Sequence, residues 1–143
     1  ITVVDDREQY VSIERFPIVK RRIHGPMDEV LSNLEVTPDT YCLIVTRGHN
    51  HDQNALSQLV QRGARYVGLI GSKRKIKLIF EDLVAAGIPP TALEKVFAPV
   101  GINIGSQSVP EIAISIVAEL VAHRNLQGQV PGRPTAVQCG AAR

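Results

Sequence analysis

Tryptophan is absent from this chain of 143 residues, and aromatic side chains make up only 4% of it. So few flat faces argue against a platform that stacks nucleic-acid bases. Charge of one sign is also scarce. The net charge is +2, too small for the electrostatic footprint of a nucleic-acid binder. No run of about 18 apolar residues occurs, so no membrane span is expected, and no signal peptide is visible. Cysteine is limited to Cys42 and Cys139, far apart in the chain. That excludes a disulfide framework and predicts a reducing, cytoplasmic setting. Two phosphate-binding loops are missing as well, the G-x-G-x-x-G of dinucleotide folds and the longer Walker loop.

What is present is a chain with 44% hydrophobic and 21% charged residues, enough for one domain with a core. Residues 1–4 and 41–45 read as buried strands, 18–23 as a more polar one, and 66–70 as a third buried strand. Helices are expected over 27–34, 52–61, 73–86 and 109–125. In the third, Ile76, Ile79, Phe80, Leu83 and Val84 fall on one face, and Gly87 stands where a helix stops. Ser108 and Glu111 give the last helix a capping-box pattern. Residues 88–100 form a connection with one helical turn. Residues 127–143 lack periodicity and are expected to be a mobile tail after a domain spanning 1–126. Strands alternating with helices predict an α/β fold with a doubly wound parallel sheet. The chain opens on Ile inside a strand-like run, so the front of a larger protein is expected to be missing.

Ligands of such folds bind beyond the C-terminal ends of the strands. Three polar clusters fall there: Asp5-Asp6-Arg7, residues 46–52, and residues 71–75. The segment Tyr-Val-Gly-Leu-Ile-Gly-Ser-Lys-Arg-Lys over 66–75 carries the clearest chemistry. Gly71 lets a ligand approach the backbone. Ser72 can cap the helix, whose free amides and dipole favour an anion. Lys73, Arg74, Lys75 and Lys77 crowd positive charge at a helix start, at a cost a bound anion offsets. The alternative is a solvated basic face with an ordinary cap. Asp5 or Asp6 stands where a dinucleotide fold places its ribose-binding acid, or is a strand-end Asp satisfying local amides. His49-x-His51-Asp52 could offer metal ligands, but Asp52 is better read as a helix cap, with His49 facing the ligand or a neighbouring loop. Cys42 reads as core. Gly101 and Gly105, around a short apolar segment, read as a turn or a second loop at the pocket. Glu119, on the narrow polar stripe Glu111, Ser115, Glu119, reads as a partnered buried or interface carboxylate. The apolar remainder of that helix suggests packing on the sheet on one side and, on the other, on the second copy of a homodimer or on a missing domain.

Taken together, Val4-Asp-Asp-Arg7, Thr46-Arg-Gly-His49 with Asp52, residues 66–75, residues 99–105, and Glu111-Ile-Ala-Ile-Ser115 through Glu119 resemble the Rossmann-like C-terminal domain of the XdhC/CoxI family. The resemblance runs over roughly residues 1–126. It implies an accessory factor of xanthine dehydrogenase and related molybdenum hydroxylases, a cofactor-handling chaperone more than a turnover enzyme. Such factors bind the molybdenum cofactor, a molybdopterin in mono- or dinucleotide form. They assist its sulfuration, with a sulfur donor as possible partner, and its insertion into the apo-enzyme. On this reading the cofactor's phosphate meets Gly71, Ser72, Lys73 and Lys75. Asp5, Asp6 and Arg7, with Arg47, Gly48 and His49, border the same crevice. The family's domain begins with a strand and a glycine loop that this sequence does not contain, so the first strand of the fold is expected to be missing. The competing readings are an NAD(P)-dependent oxidoreductase on a Rossmann fold and a docking module for the hydroxylase.

Overall fold

A computed structural model describes residues 1–133. Its strands are β1 (Thr2–Asp5), β2 (Arg21–His24), β3 (Tyr41–Ile44) and β4 (Tyr66–Leu69). Its helices are α1 (Met27–Asn33), α2 (His49–Leu59), α3 (Lys73–Ala85), α4 (Pro90–Leu93) and α5 (Val109–Asn125). β1 pairs with β2 and β3 with β4, both in parallel. The two pairs are not hydrogen-bonded to each other. The parallel α/β architecture is as expected, while the single sheet is resolved into two halves. A further parallel bridge joins Gly68 to Phe97 beside β4.

Burial follows from strand alternation. Cys42 and Ile44 point to one face of β3 and join Val67 and Leu69 of β4. Against them pack Leu56 and Leu59 of α2 and Ile76, Ile79 and Leu83 of α3, all buried. Cys42 is therefore a core side chain, and burial pushes its thiol pKa up. The predicted face of α3 splits accordingly: Phe80 packs at the margin of this core and Val84 is exposed.

The opposite face of β3 and β4 is aromatic. Tyr41 stacks on Tyr66 at 5.5 Å between ring centroids, and Tyr66 on Phe97 at 4.6 Å. Gly68 makes room for this stack, since a Cβ there would lie 2.7 Å from Tyr66 Cε1. α5 lies over the stack. Its His123 meets the three rings edge-on and bonds the Tyr41 hydroxyl through Nδ1 at 3.0 Å.

Boundaries moved where capping decided them. α2 starts at His49, three residues before the expected Asp52, because Gly48 adopts φ 85° and ψ 163° and turns the chain into the helix, a region open to glycine. α3 starts where predicted, with Ser72 Oγ accepting from the Lys75 amide. It ends one residue earlier, with Gly87 at φ 98° just beyond. The Ser108–Glu111 capping box is formed, and the Gln107 and Ser108 amides hold the Glu111 carboxyl below its usual pKa. Residues 127–133, expected as tail, pack on α5: Val130 is buried and Arg133 bonds Glu119. The rest of the expected tail, Cys139 included, lies outside the described residues.

Candidate functional site

The start of α3 and the end of β3 are tied together by one carboxylate. Asp52, in the first turn of α2, is wholly buried. Its Oδ1 accepts from the Thr46 amide at 3.2 Å and from the Thr46 hydroxyl at 2.5 Å. Its Oδ2 pairs with the ammonium of Lys75. Asp52 is thus a brace across three elements rather than the helix cap expected of it. The cap position belongs to Gly48.

This brace sorts the predicted anion-binding residues. Lys75, with its side chain 27% exposed, is committed to Asp52. Gly71, at φ 155°, opens the turn, and a Cβ there would press on Lys75 Cδ at 3.3 Å. Ser72 caps the first turn of α3. Lys73 and Arg74 are exposed at the same helix end, and neither forms an ion pair among the described residues. Arg47, exposed beyond β3, is likewise free of ion pairs among the described residues. His49 turns to α3, where Nε2 lies 3.1 Å from Asp82 Oδ2. That satisfies its ring locally, as a neighbour contact. With Asp52 committed to Thr46 and Lys75 and His49 to Asp82, the His49-x-His51-Asp52 run does not converge on one point. Among the described residues no group of three or more His, Cys, Asp or Glu is placed to hold a metal ion.

The Asp5–Arg7 cluster forms a second unit. Arg7 Nε donates to Asp5 Oδ1 at 2.9 Å and Nη2 to Oδ2 at 3.0 Å, a bidentate pair. Partial burial raises the Asp5 pKa, but the Arg7 hydrogen bonds outweigh it and hold the carboxyl below its ordinary value. The Arg7 guanidinium also lies 3.7 Å over the Tyr10 ring. Asp6 stands 3.8 Å from Arg7 Nε. Asp5 Oδ1 also accepts from the Arg7 amide at 2.9 Å, so Asp5 satisfies a local amide as well as the guanidinium, while Oδ2 keeps a free lone pair. Among the described residues no hydrogen bond or ion pair joins this cluster to the Thr46–Lys75 group.

The expectation of a partnered, buried carboxylate at Glu119 is met. Glu119 is wholly buried. It accepts from the Tyr66 hydroxyl at 2.6 Å and from Arg133 Nε at 2.8 Å. Burial, then the Glu119 carboxylate, pushes the Tyr66 pKa strongly up. The partner of Glu119, Arg133, follows α5 in sequence, so only the fold-back of residues 127–133 reveals it. An apolar groove of about 640 Å³ lies between α3 and α4, lined by Ile76, Phe80, Val84 and Leu93 among others. Lys73, at the start of α3, also lines it.

Comparison with known proteins gives one family and consistent relatives. Residues 1–120 match the model of the XdhC Rossmann domain. The chain is 32% identical over 126 residues to the uncharacterized protein YqeB of Escherichia coli strain K12, covering 87% of the chain and 23% of that protein. It is 30% identical over 124 residues to a probable xanthine dehydrogenase subunit of Bacillus subtilis strain 168, covering 87% of the chain and 36% of that protein. A crystal structure described as a xanthine dehydrogenase from Bacillus halodurans superposes with a TM-score of 0.77 at 30% identity. It covers 92% of the chain and 37% of that structure's chain. The chain therefore spans well under half the length of these relatives.

Proposed function

Because the chain belongs to the XdhC family, as its Rossmann domain, we propose that it serves a xanthine dehydrogenase-type molybdenum hydroxylase by binding the molybdenum cofactor and assisting its sulfuration and insertion. One observation carries the reading. At the C-terminal ends of β3 and β4, the capped start of α3 presents free amides with Lys73 and Arg74, and Arg47 stands exposed beyond the neighbouring strand. A pterin phosphate needs that donor set: backbone N–H groups at a positive helix end, plus mobile cations. Lys75 acts here through Asp52, holding the turn in shape, while Lys73 and Arg47 supply direct charge. The cofactor, when bound, supplies the molybdenum and its sulfur ligand. The protein's part is to hold the phosphate end and to release it to the hydroxylase.

The NAD(P)-dependent alternative asks for a ribose-binding acid at the end of β1, Asp5 or Asp6, and Asp5 is paired with Arg7 in a bidentate contact. Thermal-shift titration separates the two. Stabilisation by molybdopterin but not by NADPH supports the accessory role, and stabilisation by NADPH alone overturns it. Retention of pterin after purification, read by the fluorescence of its oxidised form, should fall in Lys73→Ala. Equal retention by both proteins would refute the phosphate assignment.

A further inference from the structure

The groove between α3 and α4 is deep and apolar. Ile76 and Leu93 on its floor are only 6% and 3% exposed, and Phe80, Ala98 and Pro99 are half-buried around them. The residues that α3 contributes run from Lys73 in its first turn to Val84 in its last. They recur at every third or fourth position, so they share one side of the helix, and the helical rise makes that side about 16 Å long. The walls are fixed in advance. Arg133 donates to the Pro99 carbonyl, and the Ile88 amide closes the turn after α3 on the Leu83 carbonyl at 2.9 Å. A preformed cavity of about 640 Å³ with apolar walls is of the size and make of a small-ligand site, and rigid walls spare the ordering cost of binding.

Charge at the rim selects the ligand. Lys77 and Glu81 face each other across one turn, with Nζ 3.8 Å from Oε1, and offset one another. Lys73 forms no ion pair among the described residues, and neither does Glu94, exposed just past α4. An anionic head group is therefore drawn to Lys73, at the start of α3, and repelled by Glu81 and Glu94. Beyond that head group the groove asks for length and apolar surface. A partner helix would bring a polar face that these walls do not match, whereas an unbranched acyl chain of medium length fits them. We propose that the groove binds a medium-chain fatty carboxylate, its chain along Ile76, Phe80, Val84 and Leu93 and its carboxylate on the ammonium of Lys73. The site shares Lys73 with the phosphate contact proposed above but stands on the groove, and neither reading requires the other.

Titration calorimetry of the chain with decanoate should show a saturable site. The methyl resonances of Ile76, Val84 and Leu93 should move with the same midpoint. Decanol, which lacks the charge, should bind about tenfold or more weakly, and Lys73→Ala should bring decanoate down to the affinity of decanol. Val84→Glu, at a position 43% exposed, should abolish binding of both and leave pterin retention as it was, which separates this site from the phosphate contact. No binding up to the solubility limit of decanoate, or binding that Val84→Glu leaves intact, overturns the proposal. Decanol binding as tightly as decanoate overturns the carboxylate contact with Lys73. Should Val84→Glu not fold, the methyl resonances decide: decanoate that leaves all three unmoved overturns the proposal.

Discussion

The ammonium of Lys75 rests against the carboxylate of Asp52, which is wholly buried. A buried carboxylate deprived of its counter-charge is costly, and removing one partner of such a pair typically loses about 3–5 kcal/mol. Lys75→Ala should therefore lower stability by about 3 kcal/mol, toward the lower end because Lys75 is partly exposed. The midpoint of urea unfolding measures this. A shift no larger than that of Lys73→Ala would show that the pair contributes nothing.

Lys73 is the contrasting case. It is exposed and forms no ion pair among the described residues, so its removal should not lower the unfolding midpoint and should raise it slightly, because a cation opposes the dipole at a helix start. A charge-assisted hydrogen bond to a phosphate is worth about 1.5–3 kcal/mol, so the affinity for a pterin phosphate should fall roughly tenfold or more. Titration calorimetry reads the affinity, and the same sample gives the midpoint.

His123 makes stability depend on pH. Burial, and then the nearby charge of Arg65, hold its pKa below the ordinary 6.5. The neutral ring accepts or donates at the Tyr41 hydroxyl without a charge to bury. When the folded pKa lies below the unfolded one, the unfolded chain binds more protons between the two values, so stability falls as pH drops below about 6.5. His123→Phe should flatten the unfolding midpoint across that window. An unchanged slope in the variant would remove His123 as the cause.

Two substitutions probe the aromatic face. Tyr66→Phe deprives Glu119 Oε1 of its 2.6 Å donor and should cost about 1–3 kcal/mol. Gly68→Ala adds a Cβ 2.7 Å from Tyr66 Cε1 and 2.9 Å from Val100 Cγ2, an overpacking that costs about 1–3 kcal/mol. Thermal denaturation followed by circular dichroism tests both. Tolerance of Gly68→Ala without loss would mean that the stack shifts freely.

The short-range features were legible because local rules govern them. Ser72 and Ser108 cap the helices assigned to them, Gly87 stands just beyond α3, and Cys42 is core. Asp52 was misplaced because its residue type fits a cap, and only the φ of Gly48 moves the helix start past it. Asp5, with Arg7 two residues on, reads either as a ligand-facing acid or as a strand-end Asp satisfying local amides. Their spacing also lets them satisfy each other, and nothing in a string of letters ranks those outcomes.

The sequence by itself determined the alternation of strands and helices, the family resemblance, and the concentration of glycine, serine and positive charge after β4. Those follow from periodicity, capping and composition, which act over a few residues. Tertiary structure decided which charges remain free. It set Lys75 on Asp52, His49 near Asp82 and Arg133 on Glu119 across 23, 33 and 14 residues. A buried carboxylate takes whichever cation the fold brings near, and distance in space is not written in distance along the chain.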